Sequence, residues 1–208
     1  MKDGMKSIKE SPVIAVMRNI PEEKSLHIIE ALLKGGVKNI EMTFGSTSPA
    51  STIRQAKKIF ADDVFIGAGT VLKTEQVKIA AEAGAQFVFS PNFNEDVVKE
   101  TLKNQIISIP GCFSPTEIYN AYNLGAHAVK VFPANVLGPQ FIKDIKAPMP
   151  FIDIVPTGGI NKENIALYLQ AGAIAVGLGS ALLDKQAIME ENYDRITYYA
   201  KELISNSH

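Results

Sequence analysis

The chain reads as a single parallel α/β domain, residues 1–208, folded as one (β/α)8 (TIM) barrel with an N-terminal helix covering its bottom. Three observations predict this. Short β-branched runs alternate with longer amphipathic runs, and they do so eight times. The repeat is roughly 25 residues, the size of one βα unit, so eight units fill the chain. The rival arrangement, an open doubly wound sheet, would be favoured by a Gly-x-Gly-x-x-Gly run after the first strand, and none occurs there.

The strand candidates in order are residues 12–17, 39–44, 64–70, 86–91, 106–111, 128–133, 152–159 and 173–180. Helices open on a cap or an early proline at Pro21-Glu22-Glu23, Ser48-Pro49, Thr74-Glu75, Asn94-Glu95, Ser114-Pro115, Gly138-Pro139 and Asn161-Lys162-Glu163. Several close on glycine just before the next strand, at Gly35-Gly36, Gly84, Gly125 and Gly172. Residues before Pro12 form the helix that plugs the barrel. Residues 189–207 form a long final helix with apolar positions at Tyr193, Ile196, Tyr199, Ala200 and Leu203. No linker or composition break divides the chain.

Hydrophobic residues make up 46% and charged residues 21% of the sequence, ordinary for a soluble globular protein with a large core. The net charge of −1 gives no electrostatic footprint for nucleic acid or an anionic membrane. The single cysteine, Cys112, rules out an internal disulfide and fits a reducing compartment. No apolar run is long enough for a signal peptide or a bilayer span, so a cytoplasmic location is expected.

In such a barrel the chemistry sits at the C-terminal strand ends. The sixth strand carries Lys130 within Ala128-Val129-Lys130-Val131-Phe132-Pro133. A barrel strand is covered on both faces, so a mid-strand lysine loses water. Burial disfavours its ammonium form; bringing it from about 10.4 to about 7 corresponds to roughly 4–5 kcal/mol of differential solvation. A neutral amine is the nucleophile that a Schiff base with a carbonyl substrate requires. The competing readings are a lysine paired with a core carboxylate and one reaching out at the rim. Glu41 is the candidate partner. It shares a polar face with Asn39 and Thr43, opposite Ile40, Met42 and Phe44. It suits proton transfer, but a structural ion pair with Lys130 has the same geometry.

Strands seven and eight end in Thr157-Gly158-Gly159 and Gly177-Leu178-Gly179-Ser180, where bare backbone N–H groups suit an anion. Tight turns are the plainer alternative, and Asn161 reads as a helix cap. Gly67-Ala68-Gly69-Thr70 is either a carboxylate contact or a close-packed turn. Arg18, ending the first strand, fits a carboxylate or phosphate as well as a rim ion pair. His27 and His127 lie away from the strand ends, His208 is terminal, and no carboxylate stands at ligand spacing, so no metal is expected. Cys112 reads as packing.

Taken in order, Ile40-Glu41-Met42-Thr43, Ile66-Gly67-Ala68-Gly69-Thr70-Val71, Ser90-Pro91, Ile109-Pro110-Gly111, Lys130-Val131-Phe132-Pro133-Ala134 and Pro156-Thr157-Gly158-Gly159-Ile160 resemble the 2-keto-3-deoxy-6-phosphogluconate (KDPG)/4-hydroxy-2-oxoglutarate (KHG) aldolases. The likeness runs from about Pro12 to Ser180. It implies a (β/α)8 homotrimer and class I chemistry without metal or organic cofactor, cleaving a phosphorylated 2-keto-3-deoxy sugar acid to pyruvate and glyceraldehyde 3-phosphate. It also implies possible action on 4-hydroxy-2-oxoglutarate. Under it Lys130 is the Schiff-base lysine and Glu41 the acid/base. Arg18, Thr43, Thr70, Pro91, Pro110, Phe132 and Thr157 bind substrate, with Thr70 at the pyruvate carboxylate. Gly158, Gly159, Gly179 and Ser180 hold phosphate. One departure stands out: many members carry Glu-x-Thr-x-Arg, whereas here Glu41-Met42-Thr43-Phe44-Gly45 has no arginine, leaving Arg18 or a backbone N–H to substitute. Thr157 matches the gluconate-type members, where a galactonate-type aldolase tends to place valine. The rival functions are an aldolase for the galactonate epimer, a metal-free phosphate-binding isomerase or epimerase, and a non-catalytic phosphate-binding barrel.

Overall fold

Parallel strands and intervening helices follow one another through the computed structural model, which describes residues 2–207. His208 lies outside the described residues. The elements are α1 (Lys2–Glu10), β1 (Val13–Met17), α2 (Glu22–Lys34), β2 (Asn39–Thr43), α3 (Pro49–Phe60), β3 (Phe65–Gly69), α4 (Thr74–Glu82), β4 (Phe87–Phe89), α5 (Glu95–Lys103), β5 (Ile107–Ile109) and β6 (Gly111–Cys112). They continue as α6 (Pro115–Asn123), β7 (Val129–Val131), α7 (Ala134–Lys146), β8 (Ile154–Pro156), α8 (Ile165–Gln170), β9 (Val176–Leu178), α9 (Lys185–Met189) and α10 (Tyr193–Ser205). Among the described residues no helix is long and apolar enough to cross a membrane.

The strands form a curled parallel sheet in two hydrogen-bonded parts, β5-β4-β3-β2-β1-β9 and β6-β7-β8. A single parallel bridge from Thr157 to Gly177 links β8 to β9. The one run expected over residues 106–111 is split into β5 and β6, the latter reaching Cys112. Pro110 interrupts its ladder because proline has no N–H to give, while its carbonyl accepts from Lys130 N at 2.8 Å.

Side-chain alternation along these strands separates two cores. Val13, Ala15, Met17, Ile40, Met42, Val129 and Val131 join the cluster that packs under the helices. Against them α2 presents Ile28, Ile29 and Leu32, all fully buried on one helical stripe. Each such aliphatic contributes about 1.5–3 kcal/mol. The opposite face supplies a second cluster of Ile14, Phe65, Phe87, Phe89, Ile107, Ile109, Ala128, Val155 and Ala175. Ile8 of α1 is buried in that second cluster, with Met5 packed against it.

Local signals act as expected at several termini. Asn94 accepts from Asp96 N and Val97 N, and Ser114 forms a capping box with Glu117. Gly36, Gly84, Gly125 and Gly172 all take positive φ, which glycine adopts without steric cost and which ends each helix sharply. Three expectations need correction. The helix expected to open at Asn161-Lys162-Glu163 begins later, at Ile165, with Asn164 in place of Asn161 at its N-cap. The helix expected to open at Gly138-Pro139 begins earlier, at Ala134, and kinks at Gly138 (φ 74°). The tail helix expected over residues 189–207 is α10, which starts later, at Tyr193, with Asn192 accepting from Arg195 N as its cap; α9 (Lys185–Met189) precedes it as a separate helix.

Candidate active site

Alternation on β7 carries Ala128 into the inner core, so Lys130, two residues on, points the same way. It is the only lysine buried among the described residues, 2% exposed. On β2 the same logic turns Asn39, Glu41 and Thr43 inward. Glu41 is fully buried, and neither of its carboxylate oxygens has a hydrogen-bond partner. Its place depends on β3: a Cβ on Gly69 would overlap the Glu41 carboxylate. The carboxylate thus lies flat against bare backbone.

Among the described residues no ion pair within 4 Å joins Lys130 to Glu41; every ion pair that occurs there involves other groups. Two aromatic rings flank the amine instead. Lys130 Nζ is 5.1 Å from the Phe89 ring centroid and 5.2 Å from that of Phe132. Burial pushes the Lys130 amine below the usual lysine range, Glu41 opposes this, and Arg18 adds to it. Burial likewise pushes the Glu41 carboxyl upward, against the pull of Lys130 and Arg18. Burial thus drives both groups toward their neutral forms. Cys112 is no competitor as nucleophile, since burial raises its thiol to about 12.

A cavity of about 670 Å³ opens over the ends of β1, β8 and β9. Arg18, Phe132 and Thr157 line it, as do Gly158, Gly159, Gly179 and Ser180. Backbone bonds Ala134 N to Thr157 O and Asn135 N to Gly158 O clamp the Phe132 segment to the glycine loop. Phe132 therefore connects cavity and amine. The Thr157 hydroxyl is buried without a partner, and a Cβ on Gly177 would overlap it.

Four expected substrate contacts do not line this cavity. Thr43 is fully buried and its hydroxyl donates to Met17 O at 3.2 Å, with Ser46 Oγ at 3.3 Å. It ties β2 to β1, which accounts for its burial. Thr70 follows β3 in the left-handed region, φ 57°. Pro91 and Pro110 are brought together at another part of the rim, where Gly111 packs so closely on the Pro91 backbone that a Cβ would overlap it.

Sequence reading missed Lys24 and Lys185, which line the cavity together with Ile20, Leu183, Ile188 and Met189. Lys24 donates to Ile188 O at 3.0 Å and pairs with Glu191 at 3.3 Å. Arg18, Lys24 and Lys185 give the cavity three basic linings and no acidic one, a field suited to an anionic ligand. A lysine on a helix carries no sequence signal of this kind; only folding α2 and α9 against one opening reveals it. No cluster of three or more metal-binding side chains occurs among the described residues.

If Lys130 and Glu41 serve chemistry, they should burden the fold. Glu41, with its pKa raised, costs nothing below about pH 4.3 and progressively more as pH rises toward its folded value. Lys130, with its pKa lowered, costs nothing above about pH 10.4 and more as pH falls toward its folded value. Both penalties overlap near neutrality. The double variant Lys130→Met/Glu41→Gln is therefore expected to be more stable than the parent by about 1–4 kcal/mol at pH 7, measured by urea unfolding. A less stable double variant would mean that the pair is a structural strut.

The family model described as KDPG and KHG aldolase matches residues 5–199. The chain is 34% identical to 2-dehydro-3-deoxy-6-phosphogalactonate aldolase of Escherichia coli K12, covering 91% of this chain and 93% of the relative. It is 34% identical to 2-dehydro-3-deoxy-phosphogluconate aldolase of Treponema pallidum, covering 97% and 95%. Among solved structures, KDPG aldolase from Legionella pneumophila, with pyruvate captured as a covalent carbinolamine, superposes with a TM-score of 0.90 at 31% identity, covering 96% of this chain and 97% of that one.

Proposed function

The chain belongs to the KDPG and KHG aldolase family and is a carbon–carbon lyase, and from that premise we propose that Lys130 forms the Schiff base in cleavage of 2-dehydro-3-deoxy-6-phosphogluconate to pyruvate and glyceraldehyde 3-phosphate. The observation that carries the residue assignment is the buried, unpaired amine facing the same interior as an unpartnered carboxyl.

In this reading the neutral Lys130 amine attacks the C2 carbonyl, and Glu41 relays protons through water as the carbinolamine loses water. The resulting protonated imine draws the electron pair of the C3–C4 bond. That bond breaks once a base has taken the C4 hydroxyl proton, which releases the aldehyde and leaves an enamine. Reprotonation at C3 and hydrolysis of the imine give pyruvate and restore the amine. Arg18 and the Gly158–Gly159 and Gly179–Ser180 backbones receive the anionic ends, supported by a cavity with basic and no acidic lining. Thr157 contacts substrate, supported by its unpartnered hydroxyl; Phe132 lines the slot beside the amine. Thr70, Pro91 and Pro110 keep their substrate-side roles on the family resemblance. Thr43 acts by holding β2 to β1.

The fold in this reading is one domain, residues 1–208, with the two sheet parts closed into a (β/α)8 barrel. The Thr157–Gly177 bridge and the continuity of β5 and β6 through Pro110 support closure. The buried Ile8 supports α1 as the bottom cover. The cytoplasmic location rests on the one free, buried cysteine. The homotrimer rests on the resemblance and on surface aromatics such as Tyr122 and Phe151, whose rings lie 5.0 Å apart and are 39% and 54% exposed. Light scattering is expected to give three times the 22.6 kDa chain mass; a monomer would overturn that part.

Incubation with pyruvate and borohydride, followed by peptide mapping, tests the central assignment. The expected adduct is on the peptide containing Lys130, and an adduct elsewhere, or none, defeats it. Since a relative of equal identity is named for the galactonate epimer, both keto acids are assayed side by side. A higher rate with the galactonate-derived compound would reassign the substrate and leave the Schiff base intact.

A further inference from the structure

We propose that Phe89 is a positioning residue for the Lys130 amine: with Phe132 it forms an aromatic slot that aims Nζ and supports it whenever it carries positive charge, as ammonium or as protonated imine. The inference rests on the Schiff-base reading above and extends it to a side chain that, like Lys130 itself, is not among those lining the cavity.

Phe87 and Phe89 lie two apart on β4 and both face the inner core, each fully buried. Their rings meet edge-on at 5.4 Å, and Phe87 stacks on Phe65 at 5.3 Å. Phe89 is thereby fixed from behind. Its ring centroid stands 5.1 Å from Nζ, and Phe132 stands 5.2 Å away. Both are inside the roughly 6 Å range over which a ring quadrupole attracts a cation.

Phe132 lines the cavity and Phe89 does not, so the two rings differ in what they touch. The charged groups that bear on the amine are Glu41 from β2 and Arg18 from the end of β1. The remaining inward neighbours are uncharged: Gly111 and Val155 pair in register with Lys130 on the adjacent strands, and Phe89 faces it from β4. The protonated imine carries its charge up to C3–C4 cleavage, gives it up as the enamine forms, and regains it on reprotonation at C3. A fixed aromatic face supports that charge without adding a second base that would compete with Glu41 for protons.

The test uses the full chain, with pyruvate and cyanoborohydride trapping followed across pH. Phe89→Leu removes the quadrupole while leaving an apolar side chain. Trapping should slow by about 3- to 30-fold. The acid limb of the pH profile should move to lower pH, because an ammonium without the ring gives up its proton more readily. Phe89→Met carries the same expectation with a side chain that adapts to the gap. Phe87→Leu is the control; it damages the same cluster without a ring over Nζ and should lower the denaturation midpoint while leaving the limb in place. An unmoved limb in both Phe89 variants, or an equal displacement in Phe87→Leu, overturns the inference. A parent protein that forms no adduct defeats the Schiff-base reading itself, whereas a reactive parent with unmoved limbs defeats only the role of Phe89.

Discussion

Lys130→Ala is expected to reduce turnover by a factor on the order of 10⁴–10⁶, the scale on which losing a covalent nucleophile is felt. The reason is local supply. No other lysine among the described residues is buried, and of the basic groups lining the cavity, Arg18, Lys24 and Lys185, none is buried. Lys24 is further engaged by Glu191 at 3.3 Å and by the Ile188 carbonyl at 3.0 Å. The variant should fold, since removing the amine relieves a buried polar group, and circular dichroism would verify this. The measurement is aldehyde release under single-turnover conditions, together with borohydride labelling. Retention of more than a few per cent of the parent rate would require a different nucleophile and would remove the basis of the mechanism.

Glu41→Gln is expected to slow the reaction by about 10²–10⁴-fold, the usual worth of a positioned acid/base. The amide is close in shape to the acid, so it fits the space left by Gly69, and the loss should fall on proton transfer with little effect on pyruvate binding. Because burial raises the Glu41 carboxyl, the parent holds a protonated acid to higher pH than an exposed glutamate does. Its rate should decline on the basic side as that proton leaves. The variant, having no proton to lose there, should lose this limb. A pH profile unchanged by the substitution would assign the limb to another group and return Glu41 to a packing role.

The sequence carries this site unevenly. The buried, inward placement of Lys130 and Glu41 is legible because each is a charged residue inside an apolar strand, where alternation alone gives its direction. Phe89 is not, since Phe87-Val88-Phe89 is apolar throughout and a strand buried on both faces gives no contrast between them. For Thr43 the inward direction is legible, but the Met17 carbonyl that engages its hydroxyl belongs to another strand and is not. Boundaries fail where chemistry is subtle, as at Pro110, which breaks a ladder without turning the chain, and at Asn192, whose capping role depends on a bond to Arg195 N. The basic lining from Lys24 and Lys185 is invisible because distant segments create it.

Gly69 and Gly177 have a consequence for how such a protein can change over generations. Every other amino acid adds at least one carbon at these positions, and that carbon would overlap Glu41 or Thr157. No codon change there is mild, so the floor of the site is closed to gradual diversification. Arg18, Ile20, Lys185 and Met189, whose side chains edge the opening, are under no such restriction. New substrate tastes in this lineage should arise by mutation of the rim while the two bare strand positions stay fixed.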